Sequence, residues 1–137
     1  MRGASGLMMS GMVLFVAALL TVAADAQSRG AAPAKNPVAS TPTSVTAGAA
    51  AYKKYCSFCH GADAKGNGPL APKGSMPPDL TDATWTHGST DVDIFGVITN
   101  GAGANSPMIA FKGKMPDQDI WHVINYLRSL GPKGAAR

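Results

Sequence analysis

The sequence predicts an all-α domain in which three or more short helices are joined by long loops rich in glycine and proline. Three observations lead there. Apolar residues recur at helical steps in about 46–56, 90–101 and 116–132, and the last two of these segments carry helix start and stop signals. No stretch shows the apolar/polar alternation of a half-buried strand. Between the helices lie HGADAKGNGPLAPKGSMPPDL and AGANSPMIAFKGKM, whose composition supports no regular element. Loops this long in a small domain wrap around something or carry function.

The first helix, in TAGAAAYKKYC, is alanine-rich and places Gly48, Tyr52 and Cys56 at steps of four on one face. Gly48 would let another backbone approach closely, with Tyr52 packed beside it. The second, in TDVDIFGVITNG, opens with Thr90 and Asp93 in a capping-box pattern and ends at Gly101. Ile94, Val97 and Ile98 form its apolar stripe. The third, PDQDIWHVINYLRSLGP, opens with Pro116 and two aspartates and stops at Gly131–Pro132. It carries Ile120, Val123, Ile124, Leu127 and Leu130 on one side. Helices this few and this short make too small a core alone, so something must fill the middle.

Residues ahead of the domain have a different character. Arg2 precedes an apolar run from Met12 to Ala24, and Ala24 and Ala26 form an A-x-A cleavage site before Gln27. Residues 1–26 are therefore expected to be a secretory signal peptide. Membrane tethering facing the periplasm is the alternative, although the run is shorter than the roughly 20 residues that span a bilayer. No cysteine near the site offers a point for lipid attachment. Residues 27–45, mostly alanine, proline, serine and threonine, read as a flexible linker. The domain then runs over 46–132, with a short tail at 133–137. The formal charge is +4 and stays there once Arg2 and Asp25 leave with the signal. A mildly basic exported domain without a dense basic run suits acidic protein partners rather than nucleic acid.

The chain's two cysteines stand in CSFCH, Cys56 to His60. A disulfide between residues three apart would close a tiny loop and constrain the unfolded chain little. A redox dithiol expects a βαβ context that is missing. A zinc site needs four ligands, and His87 and His122 do not form a second pair. C-x-x-C-H is the attachment signature of c-type haem. Two sulfurs about one helical turn apart reach the two vinyl groups of a porphyrin, and His60 is then held beneath the iron as proximal ligand. The fold expected is therefore three or more short helices and long loops wrapped around one covalently attached haem c.

A soft thioether opposite histidine is the electron-transfer arrangement. Met108 and Met115 are candidates for it, with Met76 a weaker third. Met108 sits in NSPMIAF, an irregular loop able to bring a side chain over the iron. Met115 precedes the last helix, where an apolar residue packs as a staple. His122 shares a helix face with Gln118, Asn125 and Ser129, opposite the apolar stripe, and is expected in solvent. His87, in a loop, is expected to be exposed as well.

With GAAAYKKYCSFCHGADAKGNGP, PPDLTDATW and SPMIAFKGKMPDQDIWHVINYLRSL in order, the chain resembles the class I monohaem cytochromes c over most of the domain. The last block is similar to the C-terminal signature of small bacterial cytochromes c that serve periplasmic dehydrogenases or terminal oxidases. The resemblance implies that the first helix crosses the last, with Gly48 and Tyr52 meeting the Ile124–Leu127 face. It implies that the Pro69 carbonyl accepts from the free ring nitrogen of His60, fixing its tautomer. It puts the distal ligand at Met108. Trp85 either donates its indole N–H to a haem propionate, as aromatic residues do in similar proteins, or closes the crevice. Lys65, Lys73, Lys112 and Lys114 would ring the exposed haem edge and steer an acidic partner. Relatives usually begin the last helix with a serine or threonine cap, where this chain has Pro116. The implied function is single-electron transfer between periplasmic or membrane redox proteins, without catalysis of its own. The alternatives are a haem subunit of a larger dehydrogenase or oxidase complex and, further off, a haem enzyme or gas sensor with an open distal site.

Overall fold

The computed structural model describes residues 35–132, all of which belong to one unit. The expected signal peptide, linker residues 27–34 and the tail 133–137 lie outside the described residues. Among the described residues four helices follow one another: α1 (Pro42–Tyr55), α2 (Ser57–His60), α3 (Asp91–Asn100) and α4 (Asp117–Leu130). No strand occurs among the described residues.

The first helix starts earlier than the sequence suggested. Thr41 caps it, its side chain accepting from the Ser44 amide at 3.2 Å, and Pro42 occupies the first turn, where its missing N–H costs nothing. Four residues assigned to the linker are thus helical. The chain just before them is also fastened, because Asn36 Nδ2 donates to Asn125 Oδ1 at 3.0 Å and Asn125 Nδ2 donates to the Val38 carbonyl at 3.1 Å.

α1 lies across α4, and the crossing is set by Gly48. A Cβ at Gly48 would stand 1.9 Å from the His122 carbonyl oxygen and 2.8 Å from Tyr126 Cβ. Tyr52, one turn on, meets Tyr126 with ring centroids 5.3 Å apart. The expected contact with the Ile124–Leu127 face is therefore corrected to the face carrying His122 and Tyr126. A helix advances about 100° per residue, so a face that meets α1 cannot also point at the interior beside α3. Val123 and Leu127 line that interior instead.

His122 is corrected by the same geometry. It is half-buried, with Nδ1 2.8 Å from Ser44 Oγ, and Asn125 beside it is 3% exposed and donates to the same Oγ at 2.8 Å. α1 and the residues before it cover the polar side of α4 that the pattern assigned to solvent.

α3 carries the expected capping box: Asp93 N donates to Thr90 Oγ1 at 3.1 Å and Thr90 N donates to Asp93 Oδ2 at 3.0 Å. Ile94 and Ile98 turn inward, and Phe95 stacks on Trp121 of α4 at 4.1 Å. α4 begins after Pro116, which makes no side-chain cap. Met115 and Ile120, flanking that start, are both buried, the placement of a hydrophobic staple.

Candidate functional site

The CSFCH turn is a break followed by a single turn of helix. α1 ends at Tyr55, and α2 restarts with Cys56 as its N-cap. The Cys56 carbonyl accepts from the amides of Cys59 at 3.1 Å and His60 at 2.9 Å, which puts the two cysteines one turn apart. A turn this short leaves its later carbonyls without helical partners. The following loop supplies them: Leu70 N donates to Phe58 O at 2.7 Å, Gly68 N to Cys59 O at 3.1 Å, and Gly66 N to His60 O at 2.8 Å. Gly66 also lets the next pass of chain come close, since a Cβ there would stand 2.0 Å from the Pro77 carbonyl oxygen. The glycine-rich loop is thus a wrapping that fixes the CSFCH turn.

Cys56, Cys59 and His60 open on one cavity of about 610 Å³, a size that suits a cofactor. α3 and α4 form another wall through Ile94, Ile98, Val123 and Leu127. No Asp, Glu, Lys or Arg among the described residues lines it. The two sulfurs are not bonded to each other; Cys59 is exposed, and burial, aided by Cys59, pushes the Cys56 thiol up to about 12. Burial also lowers the His60 imidazole below its usual range, which keeps it neutral and able to ligate.

Met108 lines the same cavity, half-buried. Its loop is pinned to the end of α3: Ala102 N donates to the Met108 carbonyl at 3.3 Å, and Phe111 N donates to the Ile98 carbonyl at 3.0 Å. Met108 N donates to Ser106 Oγ at 3.2 Å. Met115 is 3% exposed in the core and is not among the lining residues. Met76 lines the mouth and is 67% exposed. Trp85 and His87 line the cavity as well, Trp85 half-buried and His87 exposed. Lys65, Lys73, Lys112 and Lys114 are all exposed and none lines the cavity.

Pro69 is not brought to the site. It does not line the cavity, and its carbonyl makes no bond to His60. The prolines of the wall are Pro72, Pro77, Pro78 and Pro107. His60 Nδ1 is buried without a hydrogen bond of full geometry, while the Pro78 backbone acts on the ring to oppose its lowered pKa. The backbone that comes near the His60 ring is thus that of PPDL and not that of the Gly-Asn-Gly-Pro turn, because the loop doubles back at Gly66. Adjacent prolines crossing opposite that glycine were the available signal.

These residues fit a porphyrin held through two thiols. One wall offers two free sulfurs and an imidazole, a thioether stands elsewhere on the wall, and the rest is mainly apolar. By contrast, no group of three or more His, Cys, Asp or Glu among the described residues is arranged to hold a bare metal ion.

Residues 43–127 match the family model described as cytochrome C oxidase, cbb3-type, subunit III. Over 93 residues the chain is 37% identical to the Cbb3-type cytochrome c oxidase subunit CcoP of Rubrivivax gelatinosus, covering 68% of this chain and 28% of that subunit. The chain thus spans under a third of the length of the curated oxidase subunits it matches. It is 31% identical to cytochrome c6 of Porphyra purpurea, covering 61% of this chain and 68% of that protein. Among solved structures it is similar to cytochrome cL of Methylophaga aminisulfidivorans, at 26% identity and a TM-score of 0.53, covering 66% of this chain and 55% of that one.

Proposed function

The chain belongs to the cytochrome c family of cbb3-type oxidase subunit III, and from that we propose that it carries single electrons through one covalently held haem c. The observation that carries this reading is the single cavity on which Cys56, Cys59, His60 and Met108 all open. When bound, the haem supplies a ferric/ferrous couple of one electron. Cys56 and Cys59 would hold it as thioethers, His60 would be the proximal ligand and Met108 the distal one. The chain's own work is to keep two ligands in place and water out. A wall without charged side chains does the second, and fixed ligands limit rearrangement between the two oxidation states.

The domain is read as acting by outer-sphere exchange with redox proteins rather than as an enzyme by itself. Lys65, Lys73, Lys112 and Lys114 would steer an acidic partner. A second reading, a haem subunit of a larger oxidase or dehydrogenase complex, is favoured by the similarity to subunits more than three times its matched length. The proposed location is the periplasm, reached through a signal peptide at 1–26; no helix among the described residues is long and apolar enough to cross a membrane.

The test uses protein made with a cytochrome c maturation system. Haem-linked peroxidase stain should survive a denaturing gel and disappear when Cys56 and Cys59 are both replaced by alanine. The purified protein should also cycle reversibly between oxidised and reduced spectra at neutral pH. Stain that leaves the chain in acidified acetone refutes covalent attachment. Size-exclusion of native extract separates the free carrier from the complex subunit.

A further inference from the structure

Trp85 forms part of the cavity wall, yet little of its own backbone fixes it there. From Thr81 to Ser89 the chain forms no helix or strand, only short turns such as Thr84 N donating to Asp82 Oδ1 at 2.7 Å. Gly88 lies against Asp93 of α3, and a further anchor comes from α4. Arg128 Nε donates to Asp91 Oδ1 at 2.8 Å, with the two side chains 6% and 7% exposed. A terminal N–H of the same guanidinium donates to the Ser89 carbonyl. The guanidinium lies 5.4 Å from the centre of the Trp85 ring. One planar side chain thus touches Trp85, Ser89 and Asp91 together, which a lysine's point charge cannot do.

A buried ion pair contributes little net stability against an apolar replacement, so its value here is in the geometry it enforces. We propose that Arg128 is a positioning residue that holds the Trp85 indole against the cofactor cavity and so limits the access of water and small ligands to it. The proposal rests on the haem reading. Leu127, which precedes Arg128, lines the same cavity, so α4 supplies both the wall and the clamp on its neighbour.

The experiment measures cyanide association with the ferric protein, together with the midpoint potential, after haem stain has confirmed attachment in each variant. Arg128→Met should speed cyanide association by about tenfold, the ratio that corresponds to losing ~1.4 kcal/mol of a desolvated cation–π contact. Trp85→Ala should do at least as much. The double variant should be no faster than Trp85→Ala alone, because Arg128 acts through the indole. Arg128→Lys keeps a cation for Asp91 and the ring but loses the fork, and its rate and potential should lie between wild type and Arg128→Met. If Arg128→Met does not fold, the same comparison is made with Arg128→Lys and its double variant with Trp85→Ala. Rates that multiply in the double variant, or an Arg128 change without effect on rate and potential, overturn the proposal. Haem stain missing from the wild-type chain overturns the cofactor reading and this proposal with it; intact stain with unchanged rates overturns this proposal alone.

Discussion

The Tyr52 hydroxyl donates to the Gly61 carbonyl at 2.8 Å, a bond that joins the middle of α1 to the residue directly after His60. Tyr52 is 2% exposed, and burial holds its phenol well above the usual tyrosine range, so it remains a neutral donor. Its ring rests on Tyr126 of α4. One side chain therefore couples the α1–α4 crossing to the position of His60. Tyr52→Phe keeps the packing and removes one of two donors to the Gly61 carbonyl, which retains the Ala64 amide at 3.2 Å, at a cost of roughly 0.5–1.5 kcal/mol. Denaturant unfolding of the haem-loaded protein checks this; an unchanged midpoint would mean that the hydroxyl bond adds nothing to what the Ala64 amide already supplies.

Gly48→Ala should be more damaging than its single methyl suggests. The new Cβ meets the His122 carbonyl, which is backbone and cannot rotate away, so the two helices must separate. A loss of about 3 kcal/mol or more is expected, at the upper end for overpacking. Calorimetry on the holoprotein measures it, and a neutral substitution would refute the close crossing.

The two methionines give opposite expectations. Met108→Ala should erase the weak near-infrared sulfur-to-iron band of the ferric form, lower the potential and bind cyanide far faster than the wild type, in which the ligand must first leave. Met115→Leu should keep the band and cost at most about 1.5 kcal/mol, since Met115 is an enclosed core residue. Should the band survive the first change and vanish with the second, the ligand assignment is wrong.

The Asp93 carboxyl is held below its ordinary value, first by the Thr90 hydroxyl and then by the Thr90 amide. A pKa lowered on folding contributes stability above the unfolded value and loses it as pH falls through the folded one. The melting temperature of Asp93→Asn should therefore lie below wild type at neutral pH and converge on it in acid. A gap that stays constant as the pH falls from neutral into acid would mean that the charge of the capping box contributes nothing.

What the sequence alone determined was local. CSFCH, the Thr90–Asp93 capping box, the Gly131–Pro132 stop and the apolar stripe of α4 are legible because each depends on residues within a turn or two of one another. The cytochrome c fold could be named from the order of such blocks. Other features were decided only when distant segments met. Arg128 and Asp91 lie in different helices, and neither position announces a partner. Asn125 and His122 read as a solvated face because a helical pattern shows which sides are polar, not which are covered; Ser44, Val38 and Asn36 cover this one. Pro78 rather than Pro69 comes near His60 because a long glycine-rich loop has no period from which its path can be read. That path is set by which carbonyls of the CSFCH turn need donors and by which glycines allow the chain to pass.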